Sequence, residues 1–171
     1  MSRGFVKEDD LEHAGTDLPE RPISQHPNYV TPAGLRQLQE TAERLERERA
    51  ELAPRKEDPI ANQRLTVVER DLRYYEARLK QTILVHPAEQ PADTVLFGAT
   101  VMVEDEEGET RTFTIVGEDE ADIAAGKVSW VSPLARALIG HKIGESVNWI
   151  RPAGNQLLEI IKINYSGASN E

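Results

Sequence analysis

Apolar residues recur at three- and four-residue spacings in two stretches of this 171-residue chain, and a short charged segment separates them. Leu35, Leu38, Ala42, Leu45 and Leu52 make the first series; Leu65, Val68, Leu72, Tyr75, Leu79 and Thr82 make the second. A stripe of this period lines one side of a helix and must face another helix. The connection, Ala53-Pro54-Arg55-Lys56-Glu57-Asp58-Pro59, is short enough to force the two helices antiparallel. The spacing therefore predicts a coiled-coil hairpin over residues 30–86, with a charged tip at about 54–59. Thr31-Pro32 and Asp58-Pro59 both read as a capping oxygen followed by proline at the first helical position, where no N–H is needed. Each arm has about 22 residues and a reach of about 33 Å. Arg49 falls at a seam position near the tip, where its long stem can snorkel to water.

Beyond His86-Pro87 the apolar period changes to two. Val101 and Val103, then Phe113 and Ile115, alternate with other residues around a hairpin connection at Asp105-Glu106-Glu107-Gly108. Further strands are predicted around Val128–Val131, Ser146–Ile150 and Leu157–Ile163. A short helix interrupts them, with Ser132 as cap, Pro133 at its first position and Gly140 as its stop. The expected class is α+β: the hairpin, a linker at 87–95, and a small antiparallel sheet domain with one short helix over 96–166. Residues 1–29, acidic and broken by Pro19, Pro22 and Pro27, are expected to be a disordered tail.

Composition removes several classes. The chain has no cysteine, which excludes disulfides and thiolate chemistry. No apolar run approaches the ~18 residues of a membrane span, and the acidic N-terminus is no secretory signal. A soluble, cytoplasmic protein without membrane contact is expected. Charge is uneven: residues 1–29 carry a net of −3, residues 30–86 a net of +1 and residues 87–171 a net of −8. Phosphate backbones repel such an acidic C-terminal region, so sequence-specific DNA binding is not expected, whereas a basic protein surface suits it. Asp119-Glu120-Ala121-Asp122 spells a helicase-type metal motif, but the chain has no phosphate-binding glycine loop to accompany it. Two readings of this run stay open: a solvated loop, or a contact for a basic partner. His13, His26, His86 and His141 are scattered and suggest no metal cluster.

Four blocks closely resemble the C-terminal domain of the bacterial Gre transcript-cleavage and elongation factors. They are Phe97-Gly98-Ala99-Thr100-Val101, Ile115-Val116-Gly117-Glu118-Asp119-Glu120-Ala121-Asp122, Ser132-Pro133-Leu134-Ala135-Arg136-Ala137-Leu138-Ile139-Gly140 and Gly144-Glu145-Ser146-Val147. Tyr29-Val30-Thr31-Pro32-Ala33-Gly34-Leu35 is similar to the entry into that family's first helix. The resemblance implies an FKBP-like C-terminal domain that docks on the rim of the RNA polymerase secondary channel. It implies that the hairpin enters the channel, close to the 3′ end of the nascent RNA, and that acidic tip residues help hold a second Mg²⁺ in the polymerase active site. Carboxylates are the hard oxygen ligands such an ion accepts. On this reading the chain is an accessory factor, not an enzyme, with no tightly bound cofactor. Asp119, Glu120, Asp122, Ser132, Pro133, Leu134 and Arg136 are the expected polymerase contacts, and Asp58, Glu57 and Asn62 the tip candidates, with Asp58 and Glu57 as shared Mg²⁺ ligands.

The tip departs from the family pattern, which reads roughly Asp-x-x-Glu-Asn-Ala-(Glu/Asp)-Tyr. In Asp58-Pro59-Ile60-Ala61-Asn62-Gln63-Arg64-Leu65, Asp58 and Asn62 fit, Ala61 stands where the key Glu belongs, and nothing matches the Tyr. The arms also look about two helical turns shorter than the family's. Two variants stay open: stimulation of RNA cleavage in backtracked or paused complexes, or occupation of the channel without cleavage. Two other classes compete. Peptidyl-prolyl isomerisation needs an aromatic-lined pocket, which Phe97, Phe113, Trp130, Trp149 and Tyr165 cannot line while also filling a core. A coiled-coil adaptor needs an open seam, whereas this seam is satisfied within the chain and a monomer is expected.

Overall fold

A computed structural model describes residues 18–165. They fall into two compact units, one built from residues 18–27 and Arg36–Thr82, the other from Asn28–Leu35 and residues 83–165.

The first unit holds most of α1 (Pro32–Leu52), a 3₁₀ turn at Ala53–Arg55, and α2 (Pro59–Lys80). Leu45 and Leu52 of α1 share an apolar cluster with Ala61, Leu65, Val68 and Leu72 of α2, and Tyr75 packs against it. Val68 is fully buried. Each buried leucine or valine contributes roughly 1.5–3 kcal/mol. Glu48, late in α1, pairs with Arg64, early in α2, and Arg36, early in α1, lines one groove with Leu79, late in α2. The two helices are therefore antiparallel. Arg49 stays exposed and pairs with Glu46 at 2.6 Å, so its head leaves the seam.

Residues 18–27 depart from the expectation of a disordered tail. Arg21 lies 4.0 Å above the Tyr74 ring and 5.3 Å from that of Tyr75, with Nη1 3.4 Å from Asp71. Glu20 accepts two hydrogen bonds from Arg73, which hold its carboxyl below the usual range. The prolines prevent a helix here, but they do not prevent an extended strap held by one stacked arginine and one forked ion pair. Residues 1–17 of the expected tail lie outside the described residues.

In the second unit, β1 (Asn28–Val30) and β2 (Thr82–Leu84, which enters the unit at Ile83) form a two-stranded sheet. After a 3₁₀ turn at Pro87–Glu89, five strands follow: β3 (Ala99–Glu104), β4 (Thr110–Val116), β5 (Lys127–Ser129), β6 (Ser146–Trp149) and β7 (Gln156–Tyr165). Their order is β5-β4-β3-β7-β6. The helix α3 (Pro133–Leu138) gives Leu134, Ala135 and Leu138 to a core that includes Val101, Val103, Ile115 and Ile160. A bulge between Met102 and Val103 shifts the β3–β7 register.

Two expectations need correcting. The sheet is mixed, because β5 pairs with β4 in parallel, Ile115 opposite Val128. Apolar alternation carries no strand direction; the ten-residue crossover at 117–126 supplies it. The stretch read as a linker is also not free chain. Pro87 is buried, and Val95 is a fully buried core residue. The Tyr165 hydroxyl pins this stretch: it donates to the Thr94 carbonyl at 2.5 Å and accepts from Leu96 N–H at 2.9 Å, and burial raises its pKa.

Across the helix pair, Arg64 donates from Nε and Nη2 to the two Glu48 oxygens at 2.5 and 2.8 Å, and these hydrogen bonds lower the Glu48 pKa. A lowered folded value gives stabilisation that is complete above the unfolded carboxylate range and lost as pH falls through the folded value. The pair is partly exposed, so its contribution is about 0.5 kcal/mol. In Arg64→Gln, the deficit in urea midpoint at neutral pH is expected to disappear on acidification through that lowered range.

Candidate functional site

The loop that joins α1 to α2 exposes Arg55, Lys56, Glu57 and Asp58. Pro54 lies just beyond the end of α1, Pro59 opens α2, and Asp58 caps it: Oδ1 accepts from Ile60 N–H at 3.1 Å. Asn62, half-buried, takes part through its backbone, donating to the Asp58 carbonyl at 2.9 Å and accepting from Thr66 Oγ1 at 3.0 Å. Ala61 is 3% exposed and packs in the apolar cluster between the helices. Beside it Ile60 stands 77% exposed, an apolar contact point that heptad spacing alone does not single out.

Glu57 and the second oxygen of Asp58 are the carboxylate oxygens this loop can offer a cation. An octahedral Mg²⁺ needs six ligands. Among the described residues, no group of three or more His, Cys, Asp or Glu could hold a metal ion.

In the second unit the acidic run divides. Asp119 and Asp122 are exposed, and Asp122 exchanges two backbone hydrogen bonds with Lys127, both 2.9 Å. Ile123 follows at 81% exposed, an apolar side chain in the middle of the crossover. Ile123 belongs to no apolar period; its signal in the sequence is its place directly after the acidic run. Glu120, by contrast, points inward. Its residue exposure is 9%, its Oε1 accepts the Thr31 hydroxyl at 2.7 Å, and Lys127 Nζ lies 3.9 Å from Oε2. Thr31 Oγ1 in turn accepts from Gly34 N–H at 3.0 Å and so caps α1.

Neighbouring residues fit around this relay. A Cβ on Gly34 would sit 2.5 Å from Glu120 Oε1, and one on Gly117 would collide with the Tyr29 carbonyl. Tyr29 packs edge-on against Trp130, centroids 5.0 Å apart, and lies 5.8 Å from Phe97. The Glu120 carboxylate is thus engaged within the protein, which corrects the expectation that it faces a partner. The misreading has a simple cause: in sequence a charge joined to a distant hydroxyl looks the same as a charge in water.

On α3, Ser132 Oγ accepts from Ala135 N–H at 3.3 Å, while Pro133 and Arg136 are exposed. Leu134 is 4% exposed and lies in the core. It therefore cannot serve as a contact, which is a second correction. Helical spacing explains it: Leu134 and Leu138 are four apart and share the inner face, while Arg136 lies opposite.

Two predictions follow from this geometry. Gly34→Ala must push the Glu120 carboxylate off Thr31 and is expected to cost about 1–2 kcal/mol; most of that loss should vanish in a Glu120→Ala background, as read from urea denaturation of the four variants. Leu134→Ala is expected to destabilise by about 2–4 kcal/mol, whereas Arg136→Ala should stay within about 0.5 kcal/mol of the parent in the same assay.

Comparison with known proteins bears on the family of the chain. The family model described as "Transcription elongation factor, GreA/GreB, C-term" matches residues 90–165. Transcription elongation factor GreB of Neisseria meningitidis serogroup B is 35% identical over 153 residues, covering 81% of this chain and 94% of that protein. Transcription elongation factor GreA of Desulfovibrio desulfuricans is 33% identical over 155 residues, covering 82% and 96%. Among solved structures, GreA factor homolog 1 (Gfh1) of Thermus thermophilus aligns with a TM-score of 0.40 and 22% identity, over 81% of this chain and 99% of that one. About a third of positions are identical across nearly the whole length of both curated relatives, and the chain belongs to the GreA/GreB family of transcription elongation factors.

Proposed function

We propose that this protein is a cytoplasmic, monomeric accessory factor that binds bacterial RNA polymerase at the rim of the secondary channel and occupies the channel without stimulating RNA cleavage. Its two antiparallel helices act as the coiled-coil hairpin that enters, close to the nascent RNA 3′ end. The sheet unit acts as the FKBP-like docking domain. The exposed carboxylates Asp119 and Asp122, with Ile123 between them and the crossover's return, suit a basic surface with an apolar centre. Pro133 and Arg136 extend the contact.

Ala61 carries the choice between the two variants. It occupies the position of the family's key Glu and is buried in the cluster between the helices, so this tip has no carboxylate to present from that position. Glu57 and Asp58 remain, beside Arg55 and Lys56, whose positive charges weaken the local attraction for a cation. Cleavage stimulation stays as a second reading because Glu57 is exposed and Asp58 commits only Oδ1 to its cap. In that case the two side chains would contribute oxygens to a Mg²⁺ held chiefly by the polymerase, where the ion activates the attacking water.

Purified backtracked elongation complexes distinguish the two. The protein is expected to bind them, to leave the RNA length unchanged, and to slow cleavage by an added cleavage-competent relative. Asp119→Lys with Asp122→Lys should abolish binding. Ala61→Glu should not create cleavage and should destabilise the helix pair by on the order of 2 kcal/mol. RNA shortening that is lost in Asp58→Ala or Glu57→Ala would select the second reading, and absence of binding would overturn both.

A further inference from the structure

The strap at residues 18–27 lies on α2 as a ligand lies in a site. Tyr74 and Tyr75 follow Asp71 by three and four residues, so all three share one side of the helix. The two rings meet edge-on, with centroids 5.1 Å apart at 89°. The Arg21 guanidinium carbon lies 4.0 Å from the Tyr74 centroid, which puts it over the ring face, because a contact at the ring's rim keeps it farther away. It stands 5.3 Å from the Tyr75 centroid, and Nη1 reaches to 3.4 Å from Asp71 Oδ1. Arg70 holds the same Asp71 oxygen from Nε and Nη2, both at 3.2 Å, and so fixes the carboxylate. A flat cation stacked on one ring with its edge toward a carboxylate is how a guanidinium binds; an ammonium has no such plane.

The occupant is tethered lightly. None of residues 18–27 is buried. Beside the stack, the Glu20–Arg73 fork leaves both side chains more than half exposed. Exposed ion pairs hold weakly, and a segment without buried residues opens at small cost. Pro19 and Pro22 bracket Glu20-Arg21 and keep the released segment extended, so reclosing orders few torsions. These features suit a segment that opens and recloses, whereas a structural brace is anchored by a buried side chain. Opening bares two tyrosine rings and a fixed carboxylate on a helix, a set that recognises arginine on a protein surface. The chain's net charge of −10 favours a basic partner of this kind.

We propose that Asp71, Tyr74 and Tyr75 form a binding site for an arginine side chain of a protein partner, and that Arg21 closes this site in the free protein. The strap is an autoinhibitory latch: its own arginine leaves before the partner's enters. The apparent affinity for an outside arginine is then reduced to the fraction of molecules in which the latch is open. The identity of the partner as RNA polymerase rests on the function proposed above; the site and its latch do not.

Two experiments test this, the first without polymerase. A Gly-Arg-Gly amide and its lysine counterpart are titrated into the full chain while NMR follows the ring signals of Tyr74 and Tyr75. In Arg21→Ala the arginine peptide is expected to shift both signals saturably at about millimolar concentration. The response should be weaker by about tenfold or more in the parent, with the lysine peptide, and when Asp71→Asn is added. Circular dichroism and urea midpoints near the parent's establish that these variants are folded. No response in Arg21→Ala, or an equal response to lysine, would overturn the arginine site. An equal response in the parent would overturn the latch. The second experiment uses the absence of cysteine from the chain. Glu20→Cys with Arg73→Cys, joined by a short bismaleimide, keeps the strap shut with Arg21 in place. The linked protein is expected to bind RNA polymerase about tenfold more weakly than the same variant unlinked; equal binding would overturn the latch. If neither the parent nor the unlinked variant binds, the polymerase reading fails, and the peptide titration alone decides the site and its latch.

Discussion

A threonine hydroxyl serves two needs at once. The first turn of α1 has N–H groups with no helical acceptor, and the buried Glu120 carboxylate needs a donor. Thr31 accepts from Gly34 and donates to Glu120, so each need is met by the other. The surrounding residues follow from this relay. Residue 34 must be small, because the carboxylate occupies the space a side chain would take, and residue 117 must be small, because the Tyr29 carbonyl passes there. Tyr29 can then reach Trp130 and Phe97. The acidic run is therefore bonded inward at Glu120 and turned outward at Asp119 and Asp122. The buried carboxylate fixes the loop on which the exposed ones are displayed.

The loop between α1 and α2 shows the same economy. Asp58 starts a helix with one oxygen and leaves the other uncommitted, while helical period places Ala61, three residues on, between the helices. A side chain there belongs to the packing of the pair. This separates two properties that sequence similarity tends to merge. Family membership rests on the sheet unit and on identity along the chain, whereas the chemistry of the loop rests on which faces of a few residues look outward.

Much of this was legible in the sequence because it rests on short-range rules. Thr31, Asp58 and Ser132 each precede a proline and each cap a helix, and Gly140, with φ of +92°, follows α3. The heptads predicted the shared cluster, and alternation predicted the burial of Val101, Val103 and Ile115. What the sequence did not disclose depends on distant partners. Arg21 needs Tyr74 and Asp71, some fifty residues later, to turn an apparent tail into a strap. Glu120 needs Thr31, and the direction of β5 needs the crossover before it. Leu134 differs for another reason: a run of letters does not separate the face of a helix that looks inward from the one that looks out.

The place of β7 in the sheet has a consequence for biosynthesis. Gln156–Tyr165 lies between β3 and β6, and the Tyr165 hydroxyl secures residues 94–96, made some seventy positions earlier. Until β7 leaves the ribosome, β6 has no ladder and β3 has a bare edge. The helix pair, by contrast, closes through contacts between segments already synthesised. The helix pair can thus fold during translation, while the five-stranded sheet waits for β7.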